Sequence, residues 1–212
     1  MIVWHFLYDL AAAGFVPETL LQSPVMELAR YAVAGSFIAI SGVCARLSKR
    51  PLRRGFAVLA AALIVSAATY LFGAPVYWGI LHLLGVCMLL YAAVRKRWER
   101  LPATAACGAA LLVFVLTFAL PVRVGVPFLF PLGLRTAAFA SADYYPLLPW
   151  GALFFAAAAA AERLGDIPPE RKYAPAPRAL VWMSRRSLLI YLVHQPVLLA
   201  LTALLQRAAQ GA

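Results

Sequence analysis

The sequence predicts an all-α polytopic membrane protein of about seven transmembrane helices, forming one integral membrane domain over residues 1–212. Three observations predict the fold. Hydrophobic residues make up 64% of the chain, against roughly 45–50% in a soluble domain, and the mean hydropathy is +0.83. The excess falls in long continuous runs rather than alternating ones, which selects helices over a transmembrane barrel. Only 13% of residues are charged, yet the net charge is +11, with the basic residues gathered between the runs. That pattern marks cytoplasmic loops, and no nucleic-acid partner is expected.

The first run, residues 1–14, carries His5 and Asp9. A helix of this length spans roughly 21 Å, and the hydrocarbon core needs ~30 Å. It is therefore expected to be the outer part of a longer span whose beginning is missing, or else a short re-entrant helix. It lacks a basic leading region and a small-residue cleavage site, so no cleavable signal peptide is expected. A loop with Pro17 and Pro24 covers residues 15–28. The second span, residues 29–47, contains Gly35, Ser36, Ser41 and Gly42, small residues that let helices approach closely. A basic loop leads to the third span, residues 55–72, and Gly73-Ala74-Pro75 makes a tight turn. The fourth span is residues 76–94 and the fifth residues 103–120. A broken apolar stretch, residues 121–142, reads as re-entrant or interfacial. The sixth span, residues 144–161, opens with Asp143-Tyr144-Tyr145-Pro146 and ends in an alanine run read as a tightly packed tail. A Pro-rich polar loop, residues 162–180, precedes the last span, residues 187–205.

Placing the loops after spans two, four and six on the cytoplasmic side puts fifteen of the nineteen Lys and Arg there, leaving Arg30, Arg123, Arg135 and Arg207 on the other side. The bias orients the chain with an extracytoplasmic C-terminus. His5 then lies ~13 Å below the outer end of its helix. Asp9 lies one turn further out on the same face. His82 sits ~9 Å below the outer surface, and His194 falls near mid-membrane. One polar cavity opening outward would account for all of them.

These are the chain's three histidines. Ionisable groups inside membrane-length runs are costly and are functional candidates. His5 suits a general base, its tautomer and charge set by Asp9; a His–Asp pair that only packs helices is the structural alternative. His82 reads as a substrate-binding or second acid–base group, or as an interhelical hydrogen bond. His194 reads as substrate-binding, or His194-Gln195-Pro196 as a proline kink with nearby side chains satisfying freed carbonyls. Asp143 and Tyr144 read as a helix cap with an aromatic belt, or as a lip recognising a hydroxylated acceptor. Arg46, Arg53 and Arg54 are topology signals that could also hold the phosphates of a cytoplasmic donor. Cys44, Cys87 and Cys107 lie in apolar runs without metal-ligand spacing and read as small buried hydrophobes; no metal is expected.

Five stretches resemble one family in order along the chain: His5-Phe6-Leu7-Tyr8-Asp9-Leu10, Ser36-Phe37 to Ser41-Gly42, Trp78-Gly79-Ile80-Leu81-His82, Asp143 to Trp150, and Ser187 to Pro196. The chain resembles the bacterial branch of the heparan-α-glucosaminide N-acetyltransferase catalytic-domain family, within the wider transmembrane acyltransferase group. The family's first helix starts with an Arg-Gly-containing stretch, and this sequence begins after it. The resemblance implies transfer of an acyl group, expected to be acetyl, from cytoplasmic acyl-CoA to an extracytoplasmic hydroxyl or amine such as a sugar. His5 would be the base or transient acyl carrier, on the wider group's pattern of a first-helix histidine, with Asp9 orienting it. His82, Asp143, Tyr144 and His194 would line the acceptor side, and Arg46, Arg53 and Arg54 would hold the CoA phosphates. The expected setting is a bacterial inner membrane; the expected partners are the bilayer, acyl-CoA and a sugar-like acceptor, with homo-oligomers left open. The alternative is a proton-coupled small-solute transporter with His5, Asp9 and His82 as a relay. Its usual signature, an inverted repeat, is not visible. A membrane scaffold without chemistry is the third reading.

Overall fold

A computed structural model describes residues 1–118, 126–164 and 177–210, without the side chains of Arg163 and Leu164. Arg123, Arg171 and Lys172, used above as topology signals, lie outside the described residues. Among those described the fold is all-helical, its one strand-like feature being an isolated bridge between Trp78 and Tyr144. The chain forms two units, Met1–Ala34 with Tyr173–Ala212, and Gly35–Lys172.

In the first unit, α1 (Ile2–Ala12) packs on α9 (Ser187–Gln210), with short helices α2 (Glu18–Leu21) and α8 (Arg178–Arg185) beside them. His5 meets His194, Asp9 meets Gln195, and Gln206 donates to the Ala13 carbonyl at 3.2 Å. Residue numbers rise together along both helices, so α1 and α9 run parallel. Helix α3 (Pro24–Leu47) begins in this unit and ends in the second. Its start is written in Ser23-Pro24: the Ser23 hydroxyl accepts from the Met26 N–H at 3.4 Å, and proline needs no donor at the first helical position.

The second unit is organised by α5 (Ile80–Trp98), which packs against both α4 (Pro51–Leu71) and α7 (Leu147–Ala160); α6 (Ala103–Phe118) lies along α7. Being covered on two sides, α5 buries Leu81, Leu83, Leu84, Cys87 and Tyr91. In a bilayer, helices gain little from the hydrophobic effect and hold together by close packing. The small residues serve that end. A Cβ on Gly42 would meet the Phe154 carbonyl oxygen at 2.2 Å, and Ala156, Ala158 and Ala159 are almost wholly buried. The alanine run is thus a packed tail.

Three helices, α3, α4 and α9, are by length and composition long and apolar enough to cross a membrane, while α1, α6 and α7 are shorter apolar helices. Several boundaries depart from the sequence reading. The fourth run becomes helical only at Ile80, because Pro75 and Trp78 give their carbonyls to the Ala142 and Tyr145 N–H groups, both at 3.1 Å. The sixth starts at Leu147, after extended Pro146, and continues past α7 into a 3-10 turn, Ala161–Leu164. Pro127–Leu132 forms a second 3-10 turn within the broken stretch. The tight turn after α4 is as read: Gly73 takes φ +74, and the N–H groups of Gly73 and Ala74 close back on Tyr70 and Thr69.

Candidate active site

In the first unit, α1 presents His5 and Asp9 one turn apart on one face. Asp9 is 6% exposed. Both its carboxylate oxygens accept from Gln195 Nε2, at 3.0 and 3.1 Å. The carboxylate expected to orient His5 is therefore held by the amide of Gln195. The His5 ring instead meets the His194 ring edge-on, with centroids 4.9 Å apart. His194 is 9% exposed. Its Nδ1 bonds the Tyr191 carbonyl. A carbonyl can only accept, so Nδ1 carries the hydrogen, and in the neutral ring Nε2 holds the lone pair. That Nε2, like Gln195 Oε1, is buried with no partner among the described residues.

In the second unit, His82, Asp143 and Tyr144 meet around the start of α5. His82 Nδ1 accepts from the Gly79 N–H at 3.2 Å, so Nε2 carries the hydrogen and donates to Ser66 Oγ at 3.2 Å. The Ser66 hydroxyl passes its own hydrogen to the Val76 carbonyl. Both ring nitrogens are thus engaged, and the ring also stacks on Trp78 at 5.6 Å. Asp143 Oδ2 accepts from the Ile80 N–H at 3.0 Å, capping α5 from a distant part of the chain. A Cβ on Gly79 would meet that same oxygen at 2.6 Å, so the cap needs glycine there. Tyr144 donates to the Phe130 carbonyl at 2.7 Å, and Arg135 lies over its ring at 5.2 Å. A cleft of about 510 Å3 opens beside this cluster, lined by Tyr70, Tyr77, Trp78, His82 and Phe130 among others. The buried Trp78 indole N–H has no partner among the described residues.

The candidate phosphate-binding arginines differ in their surroundings. Arg46 is paired with Glu162 at 3.4 Å and Glu99 at 3.9 Å. Glu99 also accepts from Arg95 and Tyr91, each at 2.8 Å. Burial pushes the Glu99 carboxyl up, but the bonds from Tyr91 and Arg95 and the charges of Arg95 and Arg46 outweigh it and hold it below its usual value. Arg53 and Arg54 are exposed in the first turn of α4.

The sequence model of one family, described as heparan-alpha-glucosaminide N-acetyltransferase, catalytic, matches residues 1–196. The chain belongs to this family. The match takes in every candidate residue named above, from His5 to His194, and it makes the protein a transferase of acetyltransferase type. With three apolar helices of membrane-crossing length, it is also a membrane protein. Neither the curated proteins nor the solved structures contain a match.

Gln195 and Ser66 were not singled out as site residues from sequence. Their signal was available, since each is a polar side chain inside a membrane-length apolar run. The Glu99 and Glu162 partners of Arg46 carried no such signal, because both follow basic or apolar runs as ordinary loop residues would.

Proposed function

We propose that the protein is a membrane-embedded acyltransferase that moves an acyl group, acetyl, from cytoplasmic acyl-CoA to an extracytoplasmic hydroxyl or amine such as that of a sugar. The observation that carries this is the His5–His194 pair beside Asp9 and Gln195, in a chain of the acetyltransferase family. His194 Nε2 and Gln195 Oε1, buried and without a partner among the described residues, suit a substrate group that has hydrogens to give. The His5–His194 pair supplies the general base or the transient acyl carrier. Asp9 acts through Gln195, holding α1 and α9 in the register that sets the two rings edge to edge.

The donor's phosphates fall to Arg53 and Arg54, two exposed cations at a helix N-terminus; Arg46 is already shared between two carboxylates and braces the α5 end. The aromatic cleft at Trp78 suits a sugar, whose faces stack on rings while its hydroxyls meet polar edges. There His82 and Asp143 hold the backbone that shapes the cleft, and Tyr144 steadies its rim. Seven spans, a cytoplasmic face at the basic loops and an extracytoplasmic C-terminus in a bacterial inner membrane fit the charge bias. They also fit parallel α1 and α9, since a first and a seventh span point the same way. Homo-oligomers are compatible with this arrangement.

The test is transfer of radiolabelled acetyl from acetyl-CoA to glucosamine by the purified protein, compared with His5→Ala. Binding of the donor and transfer that is lost in the variant support the reading. A folded protein that binds no acetyl-CoA would sink it.

A further inference from the structure

We propose that Nε2 of His194, and not a nitrogen of His5, is the base that takes the acceptor's proton. This rests on the acyltransferase reading above and assigns one step within it. Four observations converge on it. The Tyr191 carbonyl pins Nδ1–H, so in the neutral ring it is Nε2 that holds the lone pair. The side chain is more than nine-tenths buried, yet Nε2 has no partner among the described residues. Gln195 Oε1, on the next residue, is buried and unpartnered in the same way, its amide nitrogen being held by Asp9. The α1 face carrying His5 and Asp9 touches both residues at once.

Buried polar atoms are nearly always paired, so two neighbouring orphans define what they lack. Both are acceptors. A carboxylate, a phosphate oxygen or a ketone would bring only more lone pairs. A hydroxyl or an amine brings hydrogens. An orphaned acceptor of this kind suits the acceptor substrate rather than the thioester.

The step balances without any further reagent. The acceptor's O–H or N–H gives its proton to His194 Nε2 as its oxygen or nitrogen bonds to the acyl carbonyl carbon. The C–S bond then breaks, and the departing thiolate takes the proton from Nε2. Ester or amide and free thiol result, and His194 returns to its starting form. The Tyr191 carbonyl accepts from Nδ1–H throughout and steadies the transient imidazolium, the part an aspartate takes in a hydrolase triad. The titratable groups that face His194 are His5 and Asp9 on α1 and Tyr191 on its own helix; from α8, Arg185 lies more than two turns away along the chain.

The experiment measures acetyl transfer from acetyl-CoA to methyl α-glucosaminide by the full chain in lipid nanodiscs, from about pH 5 to pH 9. The variants are His194→Asn and His194→Gln, with His5→Ala alongside. Asparagine can still donate to the Tyr191 carbonyl but has no basic nitrogen beyond it. Wild type is expected to gain rate with pH through one ionisation and then level off. Both His194 variants are expected to lose at least ~100-fold in kcat, to lose that levelling, and to keep the wild-type KM for acetyl-CoA. Wild-type kcat and pH profile in His194→Asn would overturn the assignment, as would a wild-type rate that is flat over the whole range, which needs no variant to fold. A wild type that neither binds acetyl-CoA nor transfers acetyl overturns the acyltransferase reading itself, and the assignment with it.

Discussion

The amide nitrogen of Gln195 donates to both carboxylate oxygens of Asp9, at 3.0 and 3.1 Å. The contact joins residues 186 positions apart and is the polar clasp between α1 and α9. Asp9 is 6% exposed, so these oxygens have no bulk water to turn to. Removing their donor leaves them unpaired in an apolar interior. Gln195→Leu is expected to cost roughly 1–3 kcal/mol, the penalty of a buried polar group left without its partner. Gln195→Glu sets two carboxylates together and should cost more. Thermal unfolding in detergent ranks the variants; equal melting temperatures would show that the clasp carries no stability.

Gly79 and Asp143 form a second dependent pair. Gly79→Ala puts a methyl where the Asp143 carboxylate now reaches the Ile80 N–H. The cap should be lost, at roughly 1 kcal/mol, together with whatever strain the crowding adds. Asp143→Ala should show the cap loss alone, and Asp143→Asn, which keeps an acceptor, should show little of it. If the cleft at Trp78 receives the acceptor, both disruptive variants raise the acceptor's KM and leave acetyl-CoA binding as it was. An unchanged acceptor KM in a folded Gly79→Ala protein would separate that cleft from the reaction.

Close packing makes a third prediction. Gly42→Val forces a side chain against the backbone of Phe154, where even a Cβ stands at 2.2 Å from the carbonyl oxygen. Neither backbone can yield without moving α3 or α7. A loss of roughly 1–3 kcal/mol or more follows, read as reduced yield of monodisperse protein in size-exclusion chromatography. Gly108→Val is the control, because a Cβ there meets nothing within 4 Å.

How far the sequence could be read follows from these residues. The helical class and the membrane setting rest on long apolar runs, a property of the chain that needs no partner to be seen. His5 and Asp9 share a helix face by spacing alone, so their neighbourhood was legible. Their true partners, His194 and Gln195, lie nearly the whole chain away, and no local pattern says that α1 meets α9. Asp143 was read as a cap, but for the helix that follows it; it caps α5 instead, because residues 75–80 and 141–145 pair edge to edge. The start of α5 was misplaced for the same reason. Val76-Tyr77-Trp78-Gly79 is apolar enough to continue a span, and only the pairing with a remote segment draws it out of the helix.

The arginines divide by their neighbours. Arg53 and Arg54 have no ion-pair partner among the described residues, whereas Arg46 touches Glu99 and Glu162. The double variant Arg53→Gln/Arg54→Gln is expected to weaken acetyl-CoA binding roughly tenfold or more, with wild-type thermal stability. Dephospho-CoA, which lacks the 3′-phosphate, should lose less in the variant than CoA does. Arg46→Gln should do the reverse, lowering stability while leaving donor affinity near wild type. Isothermal titration with CoA distinguishes the two outcomes, and equal effects from all three arginines would erase the distinction.

Glu99 sets the acid limit of the same end of the protein. Its carboxyl is held below the usual 4.5 in the folded state, burial notwithstanding, by Tyr91, Arg95 and Arg46. A carboxyl whose folded value is depressed binds fewer protons than its unfolded counterpart. Its stabilising contribution is therefore fully present above about pH 4.5 and is lost as pH falls through the lower, folded value. Protonation would strip the acceptor from Arg95 at 2.8 Å and leave Arg46 with Glu162 alone. Arg95 also donates to the Ser48 and Arg46 carbonyls at 3.0 and 3.2 Å, so losing its carboxylate loosens the link between α5 and the end of α3. Unfolding midpoints measured from neutral pH downward should fall more steeply below pH 4.5 in wild type than in Glu99→Gln, which lacks the titrating group and starts from a lower midpoint. Parallel curves for the two proteins would place the acid sensitivity elsewhere.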